Sequence, residues 1–312
     1  MAEVSHVPVM LDEWVDALVL DPDGRYVDAT FGRGGHSRAI LERLSPQGRL
    51  LALDRDPEAV REGERLVRRD ARFTIVHASF GQLDEVLAEH GWDKVSGVGF
   101  DLGLSSPQLD QAQRGFSFQQ EGPLDMRMNP DEGQPLSAML RTVSERELAK
   151  LIRDYGDERF AGRIARAILQ AMREGRMKTT ADLERVCFHA VPRSARYHGV
   201  HPATRTFQAL RIWVNDEMEQ LRQGLSAAIR HLRAAGRLVV IAFHSGEDRI
   251  VRDVIEQAVH PCTCPPQFPV CVCGRRPSMR WVQKKPLRPD EREVEINPRS
   301  RSARLRIAEA VS

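Results

Sequence analysis

The chain predicts an α/β fold: a doubly wound, largely parallel sheet interrupted by an inserted α-helical domain. Three observations carry that prediction. Short apolar strands alternate with helical segments up to Gly103, the alternation stops over residues 104–203, and it resumes with the apolar run Arg237 to Phe243. Residues 1–106 and 204–312 are therefore read as two parts of one sheet domain, and 107–203 as the insertion.

In chain order, the first strand is Arg25 to Thr30, the second Arg49 to Asp54, the third Phe73 to His77 and the fourth Val95 to Leu102. Pro57 suits the first turn of a helix over Pro57 to Arg69, where its missing N–H has no partner to lose. In such sheets, ligands lie outside the carboxyl ends of the strands. Asp28, Asp54, the segment His77 to Phe80 and Asp101 should therefore face one crevice. Leu104 to Gly133 is rich in Gly, Pro, Ser and Gln without a sustained period. Helical patterns then cover Glu145 to Tyr155, Glu158 to Met172 and Thr180 to Ala190. In the second, Phe160, Ile164, Ile168 and Met172 form one apolar stripe, with Arg159, Arg163 and Arg166 off it. The clearest helix runs from about Thr204 to Leu232, with Phe207, Leu210, Val214, Met218, Leu221, Leu225, Ala228 and Leu232 at spacings of three and four. Gly236 closes it, and strand five, Arg237 to Phe243, ends in His244-Ser245. Two alternating stretches, Met279 to Lys285 and Ala303 to Ala308, predict strands six and seven as a terminal antiparallel hairpin.

The first strand leads into Val27-Asp28-Ala29-Thr30-Phe31-Gly32-Arg33-Gly34-Gly35-His36-Ser37, a turn through three glycines into a helix. Glycines there let backbone N–H groups approach a ligand. The acid ending the next strand, Asp54, stands where such sites hold ribose hydroxyls. A dinucleotide fingerprint would need G-x-G-x-x-G, and the third glycine is missing. Asp28 instead suits a cationic ligand, and S-adenosylmethionine carries an ammonium and a sulfonium. The spacing favours that cofactor while leaving NAD, and a turn with no ligand, open. Seven strands ending in an antiparallel hairpin are the architecture of class I S-adenosylmethionine-dependent methyltransferases, which strengthens the preference.

At 312 residues, 41% hydrophobic and 29% charged, the composition is that of a soluble globular protein. The longest apolar runs resemble Leu238 to Phe243, too short to span a bilayer. The N-terminus has no basic and apolar signal pattern, so a cytoplasmic protein is expected, with no membrane partner. The net charge of +2 conceals an asymmetry: His260 to Ser312 holds eleven Lys/Arg against five Asp/Glu. Basic side chains also crowd Arg193 to Arg211, among Tyr197, His198 and His201. Such patches suit a polyanion, nucleic acid above all, though a solvated arginine-rich surface would look the same. Cys262-x-Cys264 and Cys271-x-Cys273, in a Pro-rich loop, suggest a structural zinc held by thiolates, against the alternative of free thiols. Cys187 is expected in the core of the insertion. Oligomeric state stays open, a homodimer included.

Taken together, the chain resembles the MraW/RsmH family, bacterial 16S rRNA (cytosine-N4)-methyltransferases. The likeness spans His6-Val7-Pro8-Val9, Tyr26 to Ser37, Asp54-Arg55-Asp56-Pro57, Asp101-Leu102-Gly103, Ser105-Ser106-Pro107-Gln108 and Arg114 to Phe118. It continues through Gly122 to Met128, His201 to Ile212, Phe243-His244-Ser245 and Asn297 to Ala303. The resemblance implies a class I domain with an inserted helical domain that helps bind RNA, and 16S rRNA of the small ribosomal subunit as partner. It places Gly34, Gly35, His36, Asp54, Phe80, Asp101 and Gln108 at the cofactor. One departure is Gly246, where the family usually carries Leu.

The chemistry implied is demanding, because the exocyclic amine of cytosine has its lone pair delocalised into the ring. An acceptor holding one N–H would localise that pair, and a proton must then leave. Asp101 and the turn Leu104 to Gln108 are expected to form this acceptor wall, with Asp125 and His244 as further catalytic candidates; His244 equally fits a helix-start role. The target base must be turned out of its surroundings. Arg193, Arg196, Arg205, Arg211, Lys284 and Lys285 are expected to hold phosphates. Rival readings are a methyltransferase acting on another nucleic acid or on protein, a non-catalytic RNA-binding ribosome-assembly factor, and, more distantly, an NAD oxidoreductase.

Overall fold

A computed structural model describes residues 8–197, 199–265 and 272–311. The chain divides into two compact units, Leu104–Glu217 and the remainder.

The larger unit carries a seven-stranded sheet in the order β3-β2-β1-β4-β5-β7-β6. Its elements begin with α1 (Leu11–Leu18), β1 (Arg25–Asp28), α2 (Gly35–Arg43), β2 (Arg49–Asp54) and α3 (Pro57–Val67). They continue with β3 (Phe73–His77), α4 (Leu83–Glu89) and β4 (Val95–Asp101). The first five strands are parallel, and β1 lies between β2 and β4, which is where the winding reverses. That reversal opens a crevice at the carboxyl ends of β1 and β4. Asp56 caps α3 by accepting from the N–H of Glu58 at 2.9 Å, with Pro57 next to it as expected.

No sequence pattern pointed to α1, which is only eight residues long. Its Trp14 and Leu18 are fully buried against β4. The sequence Val95-Ser96-Gly97-Val98-Gly99 makes room for them: a Cβ at Gly99 would lie 2.0 Å from the Trp14 ring, and one at Gly97 2.7 Å from Leu18. Trp14 Nε1–H also donates to the Phe100 carbonyl at 3.3 Å, so α1 backs the strand that ends in Asp101.

The second unit is helical: α5 (Ser106–Asp110), α6 (Leu136–Met139), α7 (Glu145–Gly156), α8 (Ala161–Arg173), α9 (Thr180–Ala190) and α10 (Pro202–Asn215). Ile152, Ile164, Ile168, Leu183, Cys187 and Leu210 fill its core, while Arg159, Arg163 and Arg166 are exposed. Burial pushes the Cys187 thiol up to about 12, so it behaves as a core side chain rather than a nucleophile. The Gly- and Pro-rich segment is pinned by Asn215, whose Oδ1 accepts from Met128 N–H at 2.8 Å and whose Nδ2 donates to the Met126 carbonyl at 2.7 Å.

The chain then returns to the first unit through α11 (Glu217–His231), β5 (Leu232–Ala242), α12 (Ser245–Val259), β6 (Met279–Leu287), α13 (Glu291–Ile296) and β7 (Arg304–Ala310). Four expectations need correction here. The single helix over Thr204 to Leu232 is two, broken at Asp216, which takes φ +49°. The apolar spacing runs through the break in phase, so periodicity could not reveal it. Strand five starts earlier than Arg237, at Leu232, with Ala235 at φ +61° and an irregular register opposite Val95 to Gly97. The last two strands are antiparallel but not a tight hairpin: α13 and a 3₁₀ turn separate them, and β7 lies between β5 and β6. Finally, the compact unit Leu104–Glu217 includes α10, which sequence grouped with the sheet domain. Among the described residues, no helix is long and apolar enough to cross a membrane.

Candidate active site

The turn after β1 is built for close approach. Gly34 caps α2 in the left-handed region at φ +73°, where a Cβ would lie 2.6 Å from the Phe31 ring. Asp28 is buried at 1% exposure; its Oδ2 accepts from Ser37 Oγ–H at 2.6 Å and its Oδ1 from Thr30 N–H at 3.1 Å. Asp54 closes β2 and reaches back over the same turn, accepting from Gly32 N–H at 2.7 Å and Asp56 N–H at 2.8 Å. Burial pushes both carboxyls up to about 6, against the pull of those hydrogen bonds.

Asp101, at the end of β4, is anchored by its own N–H, which donates to Thr30 Oγ1 at 2.7 Å. Its Oδ2 lies 3.5 Å from His36 Nδ1, while its Oδ1 is buried without a hydrogen-bond partner. Burial, then the neighbouring charges of Asp28 and Glu247, raise its pKa well above the usual carboxylate range. His36 is itself buried, packs on the Trp14 ring at 4.5 Å, and has Nε2 3.3 Å from the Val9 carbonyl. A donating Nε2–H in that contact would leave Nδ1 as an acceptor towards Asp101.

Across from these, His244 caps α12. Its Nδ1 accepts from Glu247 N–H at 3.3 Å, and buried Glu247 accepts in return from the N–H groups of Phe243 at 2.8 Å and His244 at 3.2 Å. His244 Nε2 sits 3.0 Å from Glu247 Oε1. The helix-start role for His244 is therefore real, and its ring is tied to Glu247. A Cβ at Gly246 would come within 3.2 Å of that ring, so the glycine leaves it uncrowded. Phe80 follows β3, half-buried, meeting Phe100 edge-on at 6.0 Å with part of its surface open.

The structure brings Gly34, Gly35, His36, Asp54, Phe80, Asp101 and His244 into the larger unit, with Thr30, Trp14 and Glu247 as supports to which the sequence assigned no role. Gln108 lies in the second unit, buried, its Oε1 accepting from Ser105 N–H at 3.0 Å. Asp125 is also there. Burial alone would raise its pKa, but the Arg127 guanidinium grips both oxygens at 2.8 Å and holds it below the usual range. That pairing makes it a loop fastener with no oxygen free of Arg127.

The residues expected to meet phosphate divide sharply. Arg193, Arg205, Lys284 and Lys285 are exposed, Arg205 donating once to the Asp157 carbonyl at 3.2 Å. Arg211 is a correction: its guanidinium forms a two-pronged pair with Glu217 at 2.8 and 2.7 Å across the α10–α11 break, leaving no fork for phosphate. Arg196 is likewise turned inward, donating to the carbonyls of Val191 and His189 at 2.9 and 3.0 Å.

The electrostatics of the crevice are unbalanced. Among the described residues, no Lys or Arg pairs with Asp28, Asp54 or Asp101. Three carboxyls with raised pKa values in one crevice, Asp28 buried and Asp54 and Asp101 half-buried, are costly to ionise unless a cation joins them. The site therefore fits a ligand bearing positive charge beside ribose hydroxyls, and it does not suit a pyrophosphate.

Comparison with known proteins bears on this arrangement. The family model described as the MraW methylase family matches residues 3–311. A relative from Nitrosococcus oceani, named ribosomal RNA small subunit methyltransferase H, is 50% identical over 306 residues, covering 98% of this chain and 96% of its own. Namesakes from Methylococcus capsulatus and Symbiobacterium thermophilum are 52% and 48% identical, covering 96% of this chain and 99% and 95% of their own lengths.

Proposed function

The chain belongs to the MraW methylase family and is a methyltransferase; from that premise we propose that it methylates the N4 amine of a cytosine in 16S rRNA of the small ribosomal subunit, in the cytoplasm, using S-adenosylmethionine. The observation that carries the cofactor half of this reading is the group of three carboxyls with which no described Lys or Arg pairs. Asp54 is suited to ribose hydroxyls, Phe80 to the adenine face, and the Gly34 turn with Asp28 behind it to the methionine end. When bound, S-adenosylmethionine supplies a methyl group already activated by its sulfonium.

The chain's own work is positioning and proton handling. Asp101 has a side chain 25% exposed to the crevice and an oxygen without a hydrogen-bond partner, so it can hold one N–H of the amine and localise the nitrogen lone pair. The nitrogen must shed one proton after gaining the methyl carbon. Asp101 can take that proton, with His36 Nδ1 at 3.5 Å as the next acceptor.

The test is transfer from labelled S-adenosylmethionine to small subunits lacking the modification, with free 16S rRNA alongside. N4-methylcytidine at a single site, identified by mass spectrometry, is the expected product. Another methylated product would point to a different substrate, and bound cofactor without any transfer would leave a non-catalytic assembly factor.

The cysteine loop supports a structural zinc. The Sγ atoms of Cys262, Cys264 and Cys273 lie within 4.8 Å of one another; Cys271 lies outside the described residues. The Cys262–Cys273 separation of 3.8 Å matches the edge of a tetrahedron with Zn–S bonds of about 2.3 Å. Val272 N–H points at Cys264 Sγ at 3.3 Å, as an N–H does towards a thiolate. About one zinc per chain is expected by elemental analysis of protein purified without chelator, falling in Cys262→Ser/Cys264→Ser. Metal-free wild-type protein would remove this assignment.

A further inference from the structure

Aromatic rings in the second unit form a continuous series from its core to its surface. Phe207, 4% exposed, meets Phe118 edge-on at 5.0 Å, and Phe118 lies against His201 at 4.9 Å. His201 stacks on Phe188 at 5.9 Å with planes 21° apart, and Phe188 meets Tyr197 edge-on at 6.1 Å. The series ends in solvent, because Tyr197 is 80% exposed, the most open of the large apolar side chains described.

An exposed aromatic ring is ordinarily unfavourable, yet this one stands on a rigid base. His201 is held at both nitrogens: Nδ1 accepts from Ala203 N–H at 3.2 Å, capping α10, and Nε2 lies 3.2 Å from Glu184 Oε1. Arg196 lays its guanidinium over Phe188 at 5.0 Å while donating to two carbonyls, so it too presents a fixed flat face. Arg193 is exposed beside them, and among the described residues it has no ion-pair partner. Flat rings, a stacked guanidinium and an uncommitted cation together are what an unpaired nucleobase and its phosphate require.

We infer that Tyr197, supported by Phe188, His201 and Arg196, is a stacking platform for an unpaired base of the RNA substrate, with Arg193 taking the adjacent phosphate. A duplex would hide its base faces from such a ring, so the partner is single-stranded RNA. The inference rests on the reading of the chain as an rRNA methyltransferase and adds how that RNA is gripped. It separates two kinds of contact within the basic segment: stacking, which ignores salt, and phosphate pairing, which does not.

The full-length protein tests it with an unstructured single-stranded RNA and with unmodified small subunits. Tyr197→Ala is expected to weaken oligonucleotide binding about tenfold, within what one stacked base contributes. The salt slope and S-adenosylmethionine binding should stay unchanged, and Tyr197→Phe should restore affinity. Arg193→Gln should make the slope of log affinity against log salt shallower by about one. On subunits, Tyr197→Ala should raise KM and leave kcat alone. Wild-type affinity and KM in Tyr197→Ala would overturn the platform and point to a protein partner for this surface. Failure of the wild type to methylate subunits, with the oligonucleotide result intact, would overturn the substrate reading instead.

Discussion

Replacing Asp101 with Ala or Asn should reduce methyl transfer by at least about a hundredfold, the lower end of what a positioned proton acceptor contributes. The two variants separate its roles. Alanine removes both the charge and the hydrogen-bond acceptor, and so weakens cofactor binding as well. Asparagine keeps the shape and an acceptor oxygen but cannot take a proton, so it should bind S-adenosylmethionine far better than it turns over. Calorimetry and single-turnover rates would show this split. Near-normal turnover in Asp101→Asn would rule Asp101 out as the proton acceptor.

The pH dependence has a definite sign. Asp101 is held well above the usual carboxylate range by burial, Asp28 and Glu247. Asp54, His36 and the His244–Glu247 pair are further titratable groups described in the crevice. A buried acid that must ionise to accept a proton gains function as pH rises through its raised pKa. The rate for wild type should therefore climb with pH, while the residual rate of Asp101→Asn should not follow the same curve. Cofactor affinity should rise as pH passes about 6, where Asp28 and Asp54 ionise. The same raised values cost stability progressively as pH rises from the unfolded carboxylate value of about 3.9 to about 6, and above that the cost is complete unless a bound cation offsets it.

The second large effect is on stability. Asp248→Ala should destabilise the larger unit by about 3–5 kcal/mol, because it leaves a buried guanidinium without its counter-charge. Arg306 is 8% exposed and bonds Asp248 through Nε at 2.6 Å and through its second prong at 3.1 Å; Arg304 adds a third contact at 2.7 Å. These bonds fasten α12 to β7. A fall in Tm on the order of 10 °C is expected by calorimetry. Asp248→Leu with Arg306→Met should recover much of the loss, since the charge and its partner leave together. Burial works to raise the Asp248 pKa, but the hydrogen bonds from Arg306 and Arg304 outweigh it and hold the value low. Its contribution is therefore complete above the unfolded value of about 3.9 and lost as pH falls through the depressed folded value. An Asp248→Ala variant as stable as wild type would mean that Arg306 finds water when its partner is removed.

Much of the site could be read in the sequence because it is made of strand ends. Arg49 to Asp54 and Phe73 to His77 are strands with the bounds their apolar runs imply, so Asp54 and His77, which close them, had to fall at a carboxyl edge. Thr180 to Ala190 is likewise a helix with the bounds its pattern implies. Arg211 and Asp125 show where such reading stops. Each is a plausible functional residue by type and neighbourhood, yet Glu217 and Arg127 occupy them. Charge in a sequence says nothing about whether its partner lies within reach. The aromatic series is a further case: Phe118, Phe188, Tyr197, His201 and Phe207 belong to different elements with no common period, and only packing aligns them.

The sequence by itself determined the first four strands, the glycine turn, the interruption by helices and the acids that close β1, β2 and β4. All of these follow from periodicity and turn chemistry within short windows of chain. Tertiary structure alone decided that β7 enters between β5 and β6, that the long helix breaks at Asp216, and that Gly97 and Gly99 admit α1 behind the site. It also decided that, in the crevice the sequence predicted, no described Lys or Arg pairs with Asp28, Asp54 or Asp101 and burial raises the pKa of all three. Those outcomes depend on which distant surfaces bury each other. The energy of a carboxylate is set by what surrounds it in space, not by its neighbours in the chain.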